Sequence, residues 1–257
     1  MTTIATILGS GTCVPSLERS ACSVLLETEK EKILFDAGPG TMRRLLESGI
    51  TIFELTAIFF SHFHPDHTAE LVPLLFSTKY PDGSRRKTPL RLVAGSGFAA
   101  FFKRLENAYG QWIELAPGIL EITEMSVEGR DRLRIGDCLL ETTPVVHRPE
   151  SIACKVTDGA GRSMVYSGDT DFSENLVQLA RSADLFFCES ALPDERKVEG
   201  HLTPSEAGEM AARAGVGTLV LTHLYPECEG VDLIGQCRKA FGGSVVVAKD
   251  LMRLPLG

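Results

Sequence analysis

Thr56-Ala57-Ile58-Phe59-Phe60-Ser61-His62-Phe63-His64-Pro65-Asp66-His67 decides how this chain is read. Residues 56–60 form an apolar, β-prone run that reads as a strand. The strand leads into three histidines and one aspartate within six positions. In extended chain, residues i and i+2 point the same way, so His62 and His64 can meet one metal ion. His67 directly follows Asp66, and the two side chains diverge or straddle, which suits a second metal beside the first. Imidazole nitrogen with carboxylate oxygen suits zinc, and also manganese or iron. Two metals about 3.5–4 Å apart can clamp the attacking and departing oxygens of a displacement. A water bridging them loses its proton near neutral pH and becomes the nucleophile. The segment therefore points to metal-dependent hydrolysis.

The remaining histidines extend the pattern. The chain has only six: His62, His64, His67, His147, His201 and His223. His147 follows the apolar run Thr143-Pro144-Val145-Val146, and His223 follows Leu219-Val220-Leu221-Thr222. Asp169 follows Tyr166-Ser167-Gly168. Each is a ligand-type residue at a strand end, where loops gather to form sites.

Periodicity and turn chemistry place strands over 3–8, 23–28, 32–35, 90–94, 119–123, 133–135, 138–146, 152–156, 163–166, 185–188, 218–221 and 244–248. Helices are expected over 41–48, 69–76, 98–108, 174–181, 204–214 and 233–241. Asp158-Gly159 is a hairpin signal. Tyr80 to Lys87 reads as a polar turn, whose Arg85-Arg86-Lys87 is a solvated loop or a phosphate contact. No linker, repeat or low-complexity tract divides residues 1–257. Periodicity alone supports an α/β fold in one domain, and its two mixed β/α halves suggest a sheet-on-sheet, four-layer αββα sandwich.

Of the 257 residues, 44% are apolar and 23% charged, as in an ordinary globular protein. The net charge of −8 argues against a protein that coats nucleic acid through a broad basic surface. Local binding of a phosphodiester stays open, because bound metal adds positive charge. The seven cysteines are odd in number and no pair is spaced C-x-x-C, so reduced core thiols are expected. Met1-Thr2-Thr3-Ile4-Ala5 has no basic stretch, and no apolar run approaches the ~20 residues that cross a bilayer. No membrane association is expected, and the expected location is the cytoplasm.

The chain resembles the metallo-β-lactamase superfamily, and within it the ribonuclease Z-like branch. The motifs that carry the resemblance run in the family's order. They are Leu8-Gly9-Ser10-Gly11-Thr12, Phe35-Asp36-Ala37-Gly38-Pro39-Gly40-Thr41, the cluster at 61–67 and Pro144 to His147. Tyr166-Ser167-Gly168-Asp169-Thr170, Cys188-Glu189-Ser190, His201-Leu202-Thr203 and Leu221-Thr222-His223 follow. Ala248-Lys249-Asp250-Leu251 resembles the family's C-terminal strand.

The resemblance implies that His62, His64 and His147 hold one metal and that Asp66, His67 and His223 hold the other. Asp169 would bridge them, and Asp36 would orient a metal-bound histidine or water. Asp66 would also count among the catalytic groups. His201 would be a general acid protonating the leaving oxygen, with Glu189 holding its ring. Arg148, beside His147, is placed for a phosphate contact. Dimers are common among relatives, so a homodimer is an expectation from the resemblance.

These expectations converge on a phosphodiesterase acting on a small or cyclic phosphodiester, or on the 3′ end of an RNA precursor. Transfer-RNA-processing members typically carry a long arm between the positions matched by His147 and Asp169. Here that stretch has room for one hairpin, which tilts the reading towards the small substrate. Other branches of the superfamily cleave lactams, other esters or thioesters, but the His201–Glu189 pair favours a phosphodiester. A redox diiron protein would tend to have a carboxylate where His64 stands and an attached flavin domain. A non-catalytic metal-binding protein would be expected to have lost ligands.

Overall fold

In a computed structural model, which describes residues 2–80 and 86–257, the chain forms two seven-stranded sheets. The first holds β1 (Ile4–Gly9), β2 (Ser23–Glu27), β3 (Lys32–Phe35), β4 (Ala57–Phe60), β5 (Leu90–Gly95) and β6 (Leu120–Met125). The second holds β7 (Asp131–Ile135), β8 (Cys138–Pro144), β9 (Ile152–Thr157), β10 (Ser163–Tyr166), β11 (Leu185–Glu189), β12 (Thr218–Thr222) and β13 (Ser244–Val247). The last strand, β14 (Arg253–Pro255), returns to the first sheet and pairs antiparallel with β1. Neighbours from β3 to β6 and from β10 to β13 run parallel.

Parallel strands covered on both faces read as continuous apolar runs, and β4 is buried at every position. Alternation along it sends Phe59 into the space between the sheets and Phe60 to the outer face. Phe59 packs against the Phe35 ring and shares the central layer with Tyr166, Phe187 and Val220. Phe60 lies under helices α1 (Thr41–Glu47), α2 (Pro65–Thr68), α3 (Leu71–Thr78) and α4 (Phe98–Tyr109), among Leu45, Leu71, Leu75 and Phe98. The second sheet is covered by α5 (Glu174–Leu179), α6 (Pro204–Ala214) and α7 (Leu233–Cys237). Burial of each such large apolar side chain contributes about 1.5–3 kcal/mol. The four-layer αββα sandwich is therefore the observed architecture. Among the described residues no helix is long and apolar enough to cross a membrane.

Some local expectations are corrected. The helix expected over 69–76 is α3, two residues further on, and the short α2 before it was not expected. Pro65 occupies the first turn of α2, where its missing N–H is no loss, so the turn begins inside the histidine motif itself. Pro73 is tolerated for the same reason in the first turn of α3. Residues 248–251 form no strand. The Asp250 carboxylate turns the chain there by accepting from Ser10 N, Ser10 Oγ, Ser20 N and Arg44 Nε. Six cysteines are buried as expected, but Cys13 is exposed.

Of the basic turn, residues 81–85 lie outside the described residues. Arg86 is neither solvated nor free for phosphate. It is buried and donates to the carbonyls of Ile52, Leu55, Pro89 and Thr88. Arg86→Met should lower the unfolding free energy in urea by about 2–3 kcal/mol, because buried carbonyls lose their donors. Its kcat should stay at the wild-type value. Lost turnover with intact stability would instead give Arg86 a substrate role.

Candidate metal centre

The site lies at the carboxyl ends of the strands, where parallel sheets gather their loops. Asp36 follows β3, the histidine motif follows β4, His147 follows β8, Asp169 follows β10, Glu189 ends β11 and His223 follows β12. Asp36 and His223 both adopt φ of 57°, a left-handed backbone that ordinary residues seldom take. Such strain costs about 1–3 kcal/mol and collects at functional sites. Gly168 permits the close packing beneath Asp169. A Cβ there would stand 2.4 Å from the Ser61 Cβ.

The structure brings all seven predicted ligands together. His62, His64, His147 and Asp169 offer donor atoms within 4.8 Å of one another, and so do Asp66, His67 and His223. The Asp169 carboxylate divides between the two sets. Its Oδ2 lies 3.7 Å from His62 Nε2 and 3.9 Å from His147 Nε2. Its Oδ1 lies 3.2 Å from His67 Nε2 and 3.3 Å from His223 Nε2. Asp66 Oδ2 stands 3.8 Å from both His67 Nε2 and His223 Nε2.

Hydrogen bonds behind the histidines fix which nitrogen faces the site. Asp36 is fully buried and accepts four of them. Ser61 N reaches Oδ1 at 2.8 Å, while Oδ2 takes Ser61 Oγ at 2.8 Å, His67 Nδ1 at 2.7 Å and Tyr166 Oη at 2.8 Å. Ser61 Oγ spends its proton on Asp36, so at 3.0 Å it accepts from His62 Nδ1. His147 Nδ1 donates to the Gly200 carbonyl at 3.0 Å. In each ring the Nε2 lone pair is left for the site, the arrangement that metal-ligating histidines use.

The residues fit divalent cations. His62 Nε2, His67 Nε2, Asp169 Oδ1 and both nitrogens of His223 are buried without a hydrogen-bond partner. Such orphans are costly unless an ion or water satisfies them. Burial, with help from the neighbouring histidines, holds His62 well below its ordinary range and thus neutral. Burial opposes charge on Asp169, yet His223, His67 and His62 keep the carboxyl ionised, well below the usual range. Burial also opposes charge on His67, but Asp169 and Asp36 lift that ring well above its ordinary value. A site that draws a proton so strongly has the negative field a cation needs.

His201 sits between His147 and His223, with ring centroids 5.1 and 5.6 Å away. Its Nδ1 meets Glu189 Oε1 at 3.0 Å. The same nitrogen lies 4.0 Å from Asp169 Oδ2, and Asp169, His201 and His223 also offer donor atoms within 4.8 Å of one another. Glu189 is buried and also accepts from Thr170 N at 2.6 Å and Leu202 N at 3.1 Å. Burial disfavours a charged His201, but the Glu189 bond and charge, with Asp169, outweigh it and raise the ring from 6.5 to about 9. Arg148 is exposed beside His147, and its guanidinium has no hydrogen bond or ion pair among the described residues.

Sequence reading missed Ser61, Tyr166, Asp171 and the Gly200 carbonyl as supports of the site. Ser61 lies inside the histidine motif, and its position before His62 was the available signal. The others act across sheets or loops.

A β-lactamase superfamily domain matches residues 31–224. The Mycobacterium tuberculosis protein Rv1339, itself uncharacterised, is 30% identical over 93% of this chain and 87% of its own length. Ribonuclease Z of Methanosarcina acetivorans is 29% identical, over 98% of this chain and 97% of that protein. The crystal structure of the short form of human tRNase Z superposes with a TM-score of 0.80 at 25% identity, covering 99% of both chains. The chain is a metal-dependent hydrolase belonging to the metallo-β-lactamase superfamily, in its ribonuclease Z-like branch.

Proposed function

We propose that this protein is a dinuclear phosphodiesterase, loaded with zinc or alternatively manganese or iron, that cleaves a small or cyclic phosphodiester. The observation that carries the reading is the buried Glu189–His201 pair set beside the divided Asp169 carboxylate. His62, His64 and His147 would hold one cation, Asp66, His67 and His223 the other, with Asp169 shared. Bound there, the cations supply Lewis acidity, which lowers the pKa of a water and offsets phosphate charge.

The protein's own part is proton placement. Nδ1 of His201 is engaged by Glu189, so Nε2 carries the proton given to the departing oxygen. The departing thiolate of a thioester needs such a donor less than an alkoxide does. Asp36 and the Gly200 carbonyl keep His67 and His147 in the ligating tautomer. The free Arg148 guanidinium would meet a non-bridging phosphate oxygen.

A second reading, processing of transfer-RNA 3′ ends, is favoured by relatives named ribonuclease Z. Against it, β9 and β10 form one short hairpin between His147 and Asp169, with no arm. We infer that residues 1–257 act as one domain in the cytoplasm. Homodimerisation, expected from the resemblance, is read by light scattering.

The test is turnover of bis(p-nitrophenyl) phosphate and of a transfer-RNA precursor with a 3′ trailer by the metal-loaded protein. Cleavage of the small ester alone supports the first reading, and cleavage of both supports RNA processing. Cleavage of neither sinks the phosphodiesterase. For a substrate with an alkoxide leaving group, His201→Ala should lower kcat by about 10²–10⁴-fold. A general acid works protonated, so wild-type rate should fall as pH rises through the His201 pKa. Metal charge pulls that value down, so the fall should lie between 6.5 and about 9. In His201→Ala the fall should vanish. A basic limb that survives the substitution would remove His201 from the role.

A further inference from the structure

The loop of residues 190–203, between β11 and α6, carries both His201 and the Gly200 carbonyl that holds His147. Apart from the single 3-10 turn Asp194–Arg196 it has no regular structure of its own. Its backbone groups need side-chain partners to keep one geometry. Lys197 and Asp171 provide them.

Lys197 Nζ donates to the His201 carbonyl at 2.6 Å, to Asp171 Oδ1 at 2.7 Å and to Glu206 Oε2 at 2.7 Å. Asp171 Oδ2 accepts from Gly200 N at 2.9 Å. Asp171 N donates to the Val146 carbonyl at 2.7 Å, one residue before His147. Asp171 is itself two residues beyond Asp169. Three loops that deliver His147, Asp169 and His201 therefore meet at one ion pair. Gly200, at φ 86°, lets its carbonyl approach the imidazole, since a Cβ there would crowd His147 Nδ1 at 3.3 Å.

We propose that the Lys197–Asp171 ion pair is a positioning device that aligns the metal-binding His147 and the proton-donating His201 together. Neither residue reaches the reacting atoms. Lys197 holds the carbonyl of His201, and Asp171 holds the peptide N–H of Gly200, whose carbonyl in turn holds the His147 ring. An ordinary surface ion pair contributes little. This one differs because both partners also hold backbone groups of the site. The inference rests on His201 being the general acid, and its test separates the two.

The experiment measures kcat/KM of the zinc-loaded protein on a series of aryl phosphodiesters from p-nitrophenyl to phenyl, and zinc retention against a competing chelator. The variants are Lys197→Met, Asp171→Asn, Lys197→Arg and His201→Ala, with folding followed by circular dichroism. Lys197→Met and Asp171→Asn should show a steeper dependence on leaving-group pKa, approaching that of His201→Ala. They should also bind zinc about 10-fold more weakly or worse. Lys197→Arg, which restores charge and donors, should recover most of both.

A loss equal across all leaving groups, or no loss at all, overturns the proposal. So does a steeper dependence with unchanged zinc retention, since the device would then not reach His147. If wild type and His201→Ala show the same dependence, the general-acid reading fails on its own. Weaker zinc retention in Lys197→Met would then still uphold the His147 arm, and unchanged retention would end the proposal.

Discussion

Asp169→Asn is expected to bind fewer than two metals per chain and to lose at least about 10³-fold in kcat/KM, the equivalent of about 4 kcal/mol. The substitution keeps the size of the side chain and one carbonyl oxygen. It removes the charge and turns one acceptor into an N–H₂ group. In the native site Oδ2 faces His62 and His147 while Oδ1 faces His67 and His223. Either amide orientation therefore points a donor at one ligand set. No rotation of the side chain avoids this, because Asp169 is 3% exposed and Gly168 packs its backbone against Ser61.

Stability gives a second readout of the same variant. A cation bound only by the folded state stabilises it by about 2.7 kcal/mol at a hundred times Kd. Wild type should lose Tm on treatment with chelator, and Asp169→Asn should lose much less. Two metals per chain in the variant, with turnover within about tenfold of wild type, would remove Asp169 from the shared position.

The sequence makes some of this legible and hides the rest for physical reasons. β4 is readable because both of its faces are buried, so every residue in it is apolar. The ligands that follow it are readable because they are local, and backbone geometry alone sets His62 and His64 on one side. His147, His223 and Asp169 are readable as ligand types at strand ends, although pairing them with the motif needed the family's order. The partition into two sets depends on where two sheets place four loops, and periodicity carries no information on that.

The supporting groups were harder still. Tyr166 reads as an ordinary apolar-run residue, yet its hydroxyl crosses 130 positions to reach Asp36. Lys197 sits in a charged stretch, Asp194-Glu195-Arg196-Lys197, that resembles any solvated loop. Arg86 was misread because a cation in a polar turn is usually exposed, whereas here it serves four carbonyls. Charge alone does not reveal which backbone groups need a donor.

Asp36→Asn is expected to weaken metal binding by about 10–100-fold and to lower the unfolding free energy by about 2–3 kcal/mol. Asparagine is the right replacement because it adopts the left-handed backbone readily. At φ 57° an alanine would add backbone strain and confuse the result. What changes with asparagine is the acceptor set. Oδ2 of Asp36 serves Ser61 Oγ, His67 Nδ1 and Tyr166 Oη, while Oδ1 serves Ser61 N. Whichever way the amide turns, its N–H₂ group confronts at least one of these donors inside a fully buried pocket.

The damage should reach both metals. With the amide oxygen on the Oδ2 side, His67 Nδ1 and Ser61 Oγ keep only a neutral acceptor, and with the nitrogen there both lose it, so the bonds that hold His67 and His62 weaken either way. Tyr166→Phe is the informative control, because it removes one donor and leaves the carboxylate intact. It should cost about 1 kcal/mol and leave zinc retention near wild type. If the two variants weaken zinc equally, Asp36 acts through packing rather than through the tautomers of His67 and His62. If only Asp36→Asn does, one buried carboxylate beneath the site sets the ligating nitrogen of a histidine in each half of the metal centre.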